Sequence, residues 1–455
     1  MRPAVVLTVL LLATGTAGAA SQRSGSLDQS FGSHGKVVSA KPSAEAGGLL
    51  VQRDGKLVVS AVTYETDADL LLVRLTRNGS PDASFGSHGI VATPIKSVVT
   101  TGFALQPDGK IVAAAATYSS SSKSQTAGTQ AVVLARYEQN GTIDRSFGSG
   151  GLVRAKIAMD VAGVVLQPDG KIVVGGTSED VSAGNVTSYI HYFRLVRYNP
   201  NGSLDTGFGK GGIRTVSVST NDSGDDLMGA LAIQKDGKLV AAGSTTSTTC
   251  PAGTKLPAPC LDFDLVVARL DADGSLDATF GHGGIVETPV DSLDTRVTSL
   301  ALQPDGALDV AGDVAKPSTS LRKSVGFVLA RYNEDGSIDS GFGRNGVVTT
   351  IMGVGNSYAS ALALQADGKL IVAGGGHGFR LARYTADGSL DSTFGSGGMV
   401  TTHVGSAYST GVPWALSEYA AGLAVQPSGR IVAVGVSANL PNRFASHISL
   451  LGYTR

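Results

Sequence analysis

The stretch Gly25–Val38, GSLDQSFGSHGKVV, decides how the chain is read. It is half of a repeat, and it stands in front of every whole one. Its sister copies are TIDRSFGSGGLV (Thr142–Val153), SLDTGFGKGGI (Ser203–Ile213) and SLDSTFGSGGMV (Ser389–Val400), and each of these closes a repeat of roughly sixty residues. The last repeat, near Leu423–Tyr453, stops where its own copy is due. The start of the chain holds what the end lacks, which is the pattern of a ring closed by its own N-terminus.

Two series of residues count the repeats. A Gln precedes a turn at Gln52, Gln106, Gln167, Gln234, Gln303, Gln365 and Gln426. A Phe-Gly pair follows at Phe31, Phe85, Phe147, Phe208, Phe280, Phe342 and Phe394. The Phe series starts first and the Gln series ends last. Within Ala361–Val400, ALALQ is a short apolar strand without helical spacing, and ADGK is a turn whose Asp-Gly tolerates positive φ. LIVAG and FRLARY read as a second and a third strand, and the stretch from Phe394 to Thr402 carries a fourth. Four antiparallel strands per unit, apolar on both faces, describe a propeller blade that must stack on its neighbours. The expected fold is all-β, a seven-bladed β-propeller whose N-terminal strand completes the last blade. An open β-solenoid is the alternative, but it has no need of matched half-repeats at the two ends.

Composition narrows the setting. The 455 residues carry a net charge of −1, so no basic surface calls for nucleic acid and no polybasic anchor for an anionic membrane. Residues 1–19 read as a signal peptide, with Arg2 as the positive region, Val5–Ala13 as the apolar core and Ala17-Gly18-Ala19 as the cleavage site. Residues 20–455 are then expected to form one propeller domain, exported, monomeric and not inserted in a membrane. Cys250 and Cys260 flank one loop, and in an oxidising compartment they are expected to pair.

The pattern LQPDGKIVV…LARYxxDGSLDxxFGxxG resembles the delta-60 repeat family of bacterial proteins. It is carried by LQPDGKIVAAA (Leu105–Ala115), LQPDGKIVVGG (Leu166–Gly176) and VLARYNEDGSIDSGFGRNG (Val328–Gly346), and it covers nearly the whole chain after the leader. The layout is also similar, more weakly, to NHL-type propellers. The resemblance implies a β-propeller on exported proteins and no agreed activity.

Residues repeated in every unit are read as structural. The Gln amide can satisfy backbone groups around the turn. A turn Asp (Asp54, Asp108, Asp169, Asp236, Asp305, Asp367) and a third-strand Arg (Arg74, Arg136, Arg197, Arg269, Arg331, Arg383) also recur. Both are replaced in the last unit, by Ser428 and Gly452, which predicts an Asp–Arg pair in six units. The turn from Asp271 to Asp277 has a faint calcium-loop look but lacks a closing Glu, and Asp and Gly are what such a turn needs anyway.

Function is expected where the repeats disagree. The variable loops Tyr118–Gln130, Thr177–Tyr189, Ser244–Phe263 and Gly405–Tyr419 share one face. The position seven residues before each Gln reads Glu45, Val99, Asp160, Leu227, Arg296, Tyr358 and Tyr419, and these should ring the mouth of the central channel. Two carboxylates, a guanidinium and two phenols there suit a polar ligand, and Tyr408 and Trp414 in the last loop add aromatic faces for a sugar or a peptide. His377, His403 and His447 show no metal-ligand spacing, and there is no GxSxG elbow or Walker loop. The reading is an exported binding or scaffold module for a glycan or an exported protein, with no cofactor. The rival is a lyase or lactonase-like enzyme holding a divalent metal at the channel mouth through Glu45 and Asp160. A third possibility is a structural surface protein without a specific ligand.

Overall fold

The structure is a computed structural model that describes residues 23–39, 44–63, 69–96, 98–118, 129–181, 189–219, 225–247, 262–290, 293–316, 324–353, 357–376, 378–404, 418–438 and 446–455. The leader therefore lies outside the described residues, as do Cys250 and Cys260 with their expected pairing. The described residues form 28 strands and no helix, so none of them supplies a helix able to cross a membrane. Every strand pairing is antiparallel, and all but two, Lys36–Val38 with Ser446–Tyr453 and Leu370–Gly375 with Tyr419–Val425, join strands consecutive in the chain, with turns of the Gln-x-Asp-Gly type between first and second strands in six units.

The first sheet shows why these sequences make blades. Its strands are Ala44–Val51, Leu57–Thr63, Asp69–Leu75 and Ile90–Thr93. Along the second strand the side chains alternate between two different cores. Leu57, Val59 and Ala61 join Val432, Val434, Ile448 and Leu450 on one side. Val58 and Val62 join Ile111, Ala113 and Ala115 on the other. A strand with period-two geometry and apolar residues on both faces can be satisfied only between two neighbours. The first strands of successive units touch one another in a closed circle, from Ala44–Val51 round to Tyr419–Val425 and back.

Hydrogen bonding divides the chain differently from the expected seven separate blades. Five four-stranded sheets span 44–93, 98–155, 163–216, 227–288 and 294–351, and the remaining strands form one eight-stranded sheet. In that sheet Tyr358–Leu364, Leu370–Gly375, Phe379–Tyr384 and Met399–Thr402 continue into Tyr419–Val425, Ile431–Ala438, Ser446–Tyr453 and Lys36–Val38. The joint is a single pair, Gly375 with Tyr419. Its cause is local. A Cβ on Gly375 would lie 2.1 Å from the Tyr419 Cβ, so the absent side chain is what lets the two backbones meet. The architecture is a propeller of five blades plus this fused sheet.

The N-terminal segment lies in the fused sheet. Lys36, Val37 and Val38 pair with Leu451, Leu450 and Ser449. Gly25 N–H donates to the Thr454 carbonyl at 3.0 Å and Thr454 N–H to Ser26 at 2.9 Å. The Phe-Gly series explains itself here. The Gly N–H after each Phe donates to a turn carbonyl of the next unit: Gly32 to Asn78, Gly86 to Asn140, Gly148 to Asn201, Gly209 to Asp273, Gly281 to Asp335 and Gly343 to Asp387. The last of these, Gly395 to Ser24 at 3.0 Å, ends on the N-terminal segment.

The Asp–Arg pairing expected from the sequence involves a different Asp. Arg74 Nε donates to Asp82 at 2.7 Å, Arg136 to Asp144 at 2.7 Å, Arg197 to Asp205 at 2.8 Å, Arg269 to Asp277 at 2.6 Å and Arg383 to Asp391 at 2.9 Å. The turn carboxylates are already committed: Asp54 accepts the backbone N–H of Lys56, two residues on, and the same holds at Asp108, Asp169, Asp236, Asp305 and Asp367. Each guanidinium lies over its own unit's Phe, 4.5 Å from the Phe85 centroid for Arg74, and Arg74 also donates to the Gln139 carbonyl of the next sheet. In the fifth sheet Arg331 pairs instead with Asp309 at 2.7 Å. The Gln residues also reach across sheets, as Gln167 does to Ala272 and Gln426 to Gly55 and Arg77. At the closure, Arg430 replaces the missing Arg and donates to Asp28 at 2.6 Å, Ser30 at 2.7 Å and the Arg77 carbonyl at 2.8 Å.

Candidate functional site

The first strands carry the site. In six units the pairing of the first and second strands slips by one residue, between Ala46 and Gly48, Val98 and Thr100, Met228 and Ala230, Val297 and Ser299, Ala359 and Ala361, and Ala420 and Gly422. A bulge of this kind bends the strand and re-aims its neighbours. In five of these units the residue two places before the bulged one belongs to the series expected at the channel mouth, and in the sixth the bulged residue, Val99, is itself the member. In five units a glycine of the second strand lies directly beneath the member of that series. A Cβ there would come within 2.2 Å of the Leu227 and Arg296 carbonyls, for Gly243 and Gly312, and nearer still beneath Asp160, Tyr358 and Tyr419. The backbone of the mouth residues therefore sits closer to the second strand than any other residue allows.

Glu45, Asp160, Leu227, Arg296 and Tyr419, contributed by five different units, line one cavity of about 570 Å³. The small residues Gly47, Gly229, Ser360 and Ala421 line it as well. Tyr358 does not line the cavity but backs Tyr419, with ring centroids 5.7 Å apart and planes at 61°. The Val99 side chain, Tyr408 and Trp414 lie outside the described residues. Most of the variable loops do too.

Electrostatics separate the members. Burial and then the Glu45 charge push the Tyr419 hydroxyl up to about 12, and burial, Tyr419 and Asp313 push the Tyr358 hydroxyl up as well. Both phenols are neutral hydrogen-bonding groups at any ordinary pH. Arg296 is exposed and, among the described residues, makes no hydrogen bond or ion pair. Asp313 lies directly across from it on the next strand, but Asp313 accepts the Ser324 hydroxyl.

The expected histidines are not brought together. His403 is exposed with Nδ1 3.6 Å from Glu418, His447 is buried with Nδ1 2.7 Å from the Ser39 carbonyl, and His377 lies outside the described residues. Among the described residues no three His, Cys, Asp or Glu side chains are placed to hold a metal ion. In the turn from Asp271 to Asp277, the Asp273 carboxylate accepts the Ser275 N–H at 2.9 Å and its hydroxyl at 2.7 Å, an ordinary Asx turn.

Two arrangements escaped the sequence reading. His191 and Asp225 meet at 2.7 Å on the variable side. Buried Asp226 lies nearby, its carboxyl pushed up by burial, although Thr245 and the Val218 N–H bond to it. The Asp225-Asp226 doublet just before a first strand was the available signal. The opposite end of the channel is lined by repeated turn residues, Gln52, Gln303, Gln365 and Gln426 among them, around a cavity of about 1230 Å³.

Six segments, 52–85, 106–147, 167–208, 263–280, 303–342 and 365–394, match a family described as "Domain of unknown function (DUF5122) beta-propeller". These segments, which together cover somewhat under half of the chain, are what it shares with that β-propeller repeat family. No curated protein matches it. Among solved structures, a protein of unknown function from Dyadobacter fermentans is 10% identical with a TM-score of 0.46, covering 92% of this chain and 98% of its own. The polysaccharide lyase Uly1 is 10% identical with a TM-score of 0.48, covering 96% and 93%. An α-L-arabinanase from Penicillium chrysogenum is 12% identical with a TM-score of 0.44, covering 78% and 93%. At these identities and scores the likenesses carry no argument about what this chain does.

Proposed function

We propose that the protein is an exported binding module built from delta-60-type repeats, and that a glycan or an exported protein partner docks at the channel mouth on the variable face. The observation that supports this reading is the convergence of Glu45, Asp160, Arg296 and Tyr419 on one cavity. The chain repeats almost everything else and uses it to hold the ring, as the Arg–Asp pairs and Phe-Gly bonds show. Non-repeated polar and aromatic side chains gathered at one concave end are what a recognition site requires. The leader-like residues 1–19 support export.

The test is retention of the purified protein on a glycan array and on immobilised exported proteins of its source. Tyr419→Ala, with Tyr358 left in place, should cut binding at least about tenfold while leaving the fold intact, as loss of an aromatic anchor does. Binding that is unchanged in Tyr419→Ala and in Glu45→Ala would place the ligand elsewhere and sink the reading.

A further inference from the structure

We propose that the channel mouth selects a carboxylate-bearing sugar, a uronate unit within an acidic glycan, and that Arg296 determines this specificity. The inference rests on the reading of the mouth as a glycan site and adds the class of glycan.

Among the described residues Arg296 is the only cation lining the cavity. The recurring third-strand arginines are consumed: Arg74, Arg136, Arg197, Arg269, Arg331 and Arg383 each hold a carboxylate within 3 Å. Arg296 has Asp313 across the strand pair and Asp294 two residues earlier, yet it makes no ion pair or hydrogen bond among the described residues. Its planar fork of donors is left open toward the channel, and that fork matches a carboxylate in two parallel bonds.

The other charges restrict what the anion can be carried on. Glu45 and Asp160 line the same cavity, so the three charged groups sum to −1. A polyanion dense in charge would meet two carboxylates for one guanidinium, and repulsion would dominate. A neutral sugar would leave the guanidinium without an anionic partner. A uronate carries one carboxylate and several hydroxyls on a single ring. The carboxylate suits Arg296, and the hydroxyls are donors for Glu45 and Asp160. Tyr419, neutral because burial holds its hydroxyl at about 12, adds a ring edge and a hydroxyl that donates or accepts. Gly47, Gly229, Ser360 and Ala421 leave the floor open for a ring to approach. A peptide would need a separate carboxylate and a separate donor held at the right spacing, so it fits the same groups less directly.

The experiment uses the full exported chain and calorimetry. The probes are trisaccharides of galacturonate, glucuronate and mannuronate, the carboxyl-reduced counterpart of each, and a short peptide ending in two glutamates. The expected result is that at least one uronate probe binds and its reduced counterpart binds tenfold or more weakly. Arg296→Gln should abolish that discrimination, so that both forms bind alike, and Arg296→Lys should restore part of it. Equal binding of the acidic and reduced sugars to the wild-type protein overturns the inference and leaves the glycan reading standing. Binding of the peptide with no saccharide bound overturns both. So does an absence of binding by every probe. The comparison of acidic with reduced sugar on the wild-type chain stands even if Arg296→Gln fails to fold.

Discussion

The closure between the two ends of the chain predicts an asymmetry among otherwise equivalent cations. In the first sheet the Asp82 carboxylate is held twice, by Arg74 at 2.7 Å and by Lys56 at 3.0 Å. At the seam Gly452 stands where Arg74 would be, because a Cβ there would lie 2.6 Å from Phe31 Cγ. Arg430 stands where Lys56 would be, and it alone pairs with Asp28, at 2.6 Å, with side-chain exposures of 13% and 20%. Arg430 also bonds Ser30 and the Arg77 carbonyl and lies 5.6 Å from the Phe31 ring. Removing one partner of a fully buried pair costs about 3–5 kcal/mol, and of an exposed pair about 0–1. The seam lies between these limits, nearer the buried one once the further hydrogen bonds are included, so Arg430→Met should cost about 2.5 kcal/mol, roughly sixtyfold in the opening equilibrium. Lys56→Met should cost less than about 1 kcal/mol, since Arg74 keeps its grip on Asp82. Urea unfolding measures the global loss, and hydrogen exchange at Gly25, Asp28, Gly452 and Thr454, whose amides bridge the two ends, measures the local one. Equal losses in the two variants, or unchanged exchange at these four amides in Arg430→Met, would refute the claim that one guanidinium latches the seam.

Two further outcomes follow from the same geometry. Gly312→Ala places a Cβ 2.2 Å from the Arg296 carbonyl, so the first strand must move by about 1 Å or more; a loss of about 1–3 kcal/mol in urea unfolding is expected, and full stability would show that the close approach is not required. Acidification should destabilise the protein. Burial pushes the carboxyls of Asp82, Asp144, Asp277 and Asp391 up, but hydrogen bonds from Ser or Thr and from Lys, with Arg beside them, outweigh it and hold all four far below the usual range. A depressed folded-state pKa stabilises above the unfolded value near 4 and is lost as pH falls below it. Asp226, Asp309 and Glu287 are pushed up and act with the opposite sign, but they are fewer. The urea midpoint should therefore hold from pH 7 to about 5 and fall by pH 3; a midpoint that is flat or rising between pH 5 and 3 would contradict this.

Strands and turns were legible because each has a short-range cause. Alternation of apolar side chains, Asp-Gly turns and the two offset series place every strand of the repeat without knowledge of its neighbours. How those strands group into sheets was not legible, because it depends on a single contact between units. The sequence offers Gly374-Gly375-Gly376 in one unit and Gly435-Val436-Ser437 at the same place in the next, but only the placed backbone shows that Gly375 comes opposite Tyr419. The Asp–Arg assignment failed for a related reason. Replacement of the turn Asp by Ser428 and of the strand Arg by Gly452 in the same unit pointed to a pair, whereas the two replacements are independent. The turn carboxylate serves its own backbone, and the strand arginine reaches the Asp eight residues on, as Arg74 does to Asp82.

The channel mouth could be found from the sequence because a repeat makes equivalence visible. Residues that occupy one position in every unit must lie on one circle, so the positions where the units differ along that circle face one another whatever the detailed fold. That argument needs only the register of the repeat, and it places Glu45, Asp160, Leu227, Arg296 and Tyr419 around one cavity even though the sheets group differently from expectation. It says nothing of depth, and depth is where Tyr358 departs. The pairing slip between Ala359 and Ala361 is the same in its unit as in the others, but Tyr419 of the neighbouring strand stands in front of it, drawn toward the second strand at Gly375. The fused sheet thus alters the site: where two units share a hydrogen-bonded pair, two mouth residues stack on each other and only one meets the ligand. Separating them with Gly375→Ala would restore the circle that the repeat alone dictates.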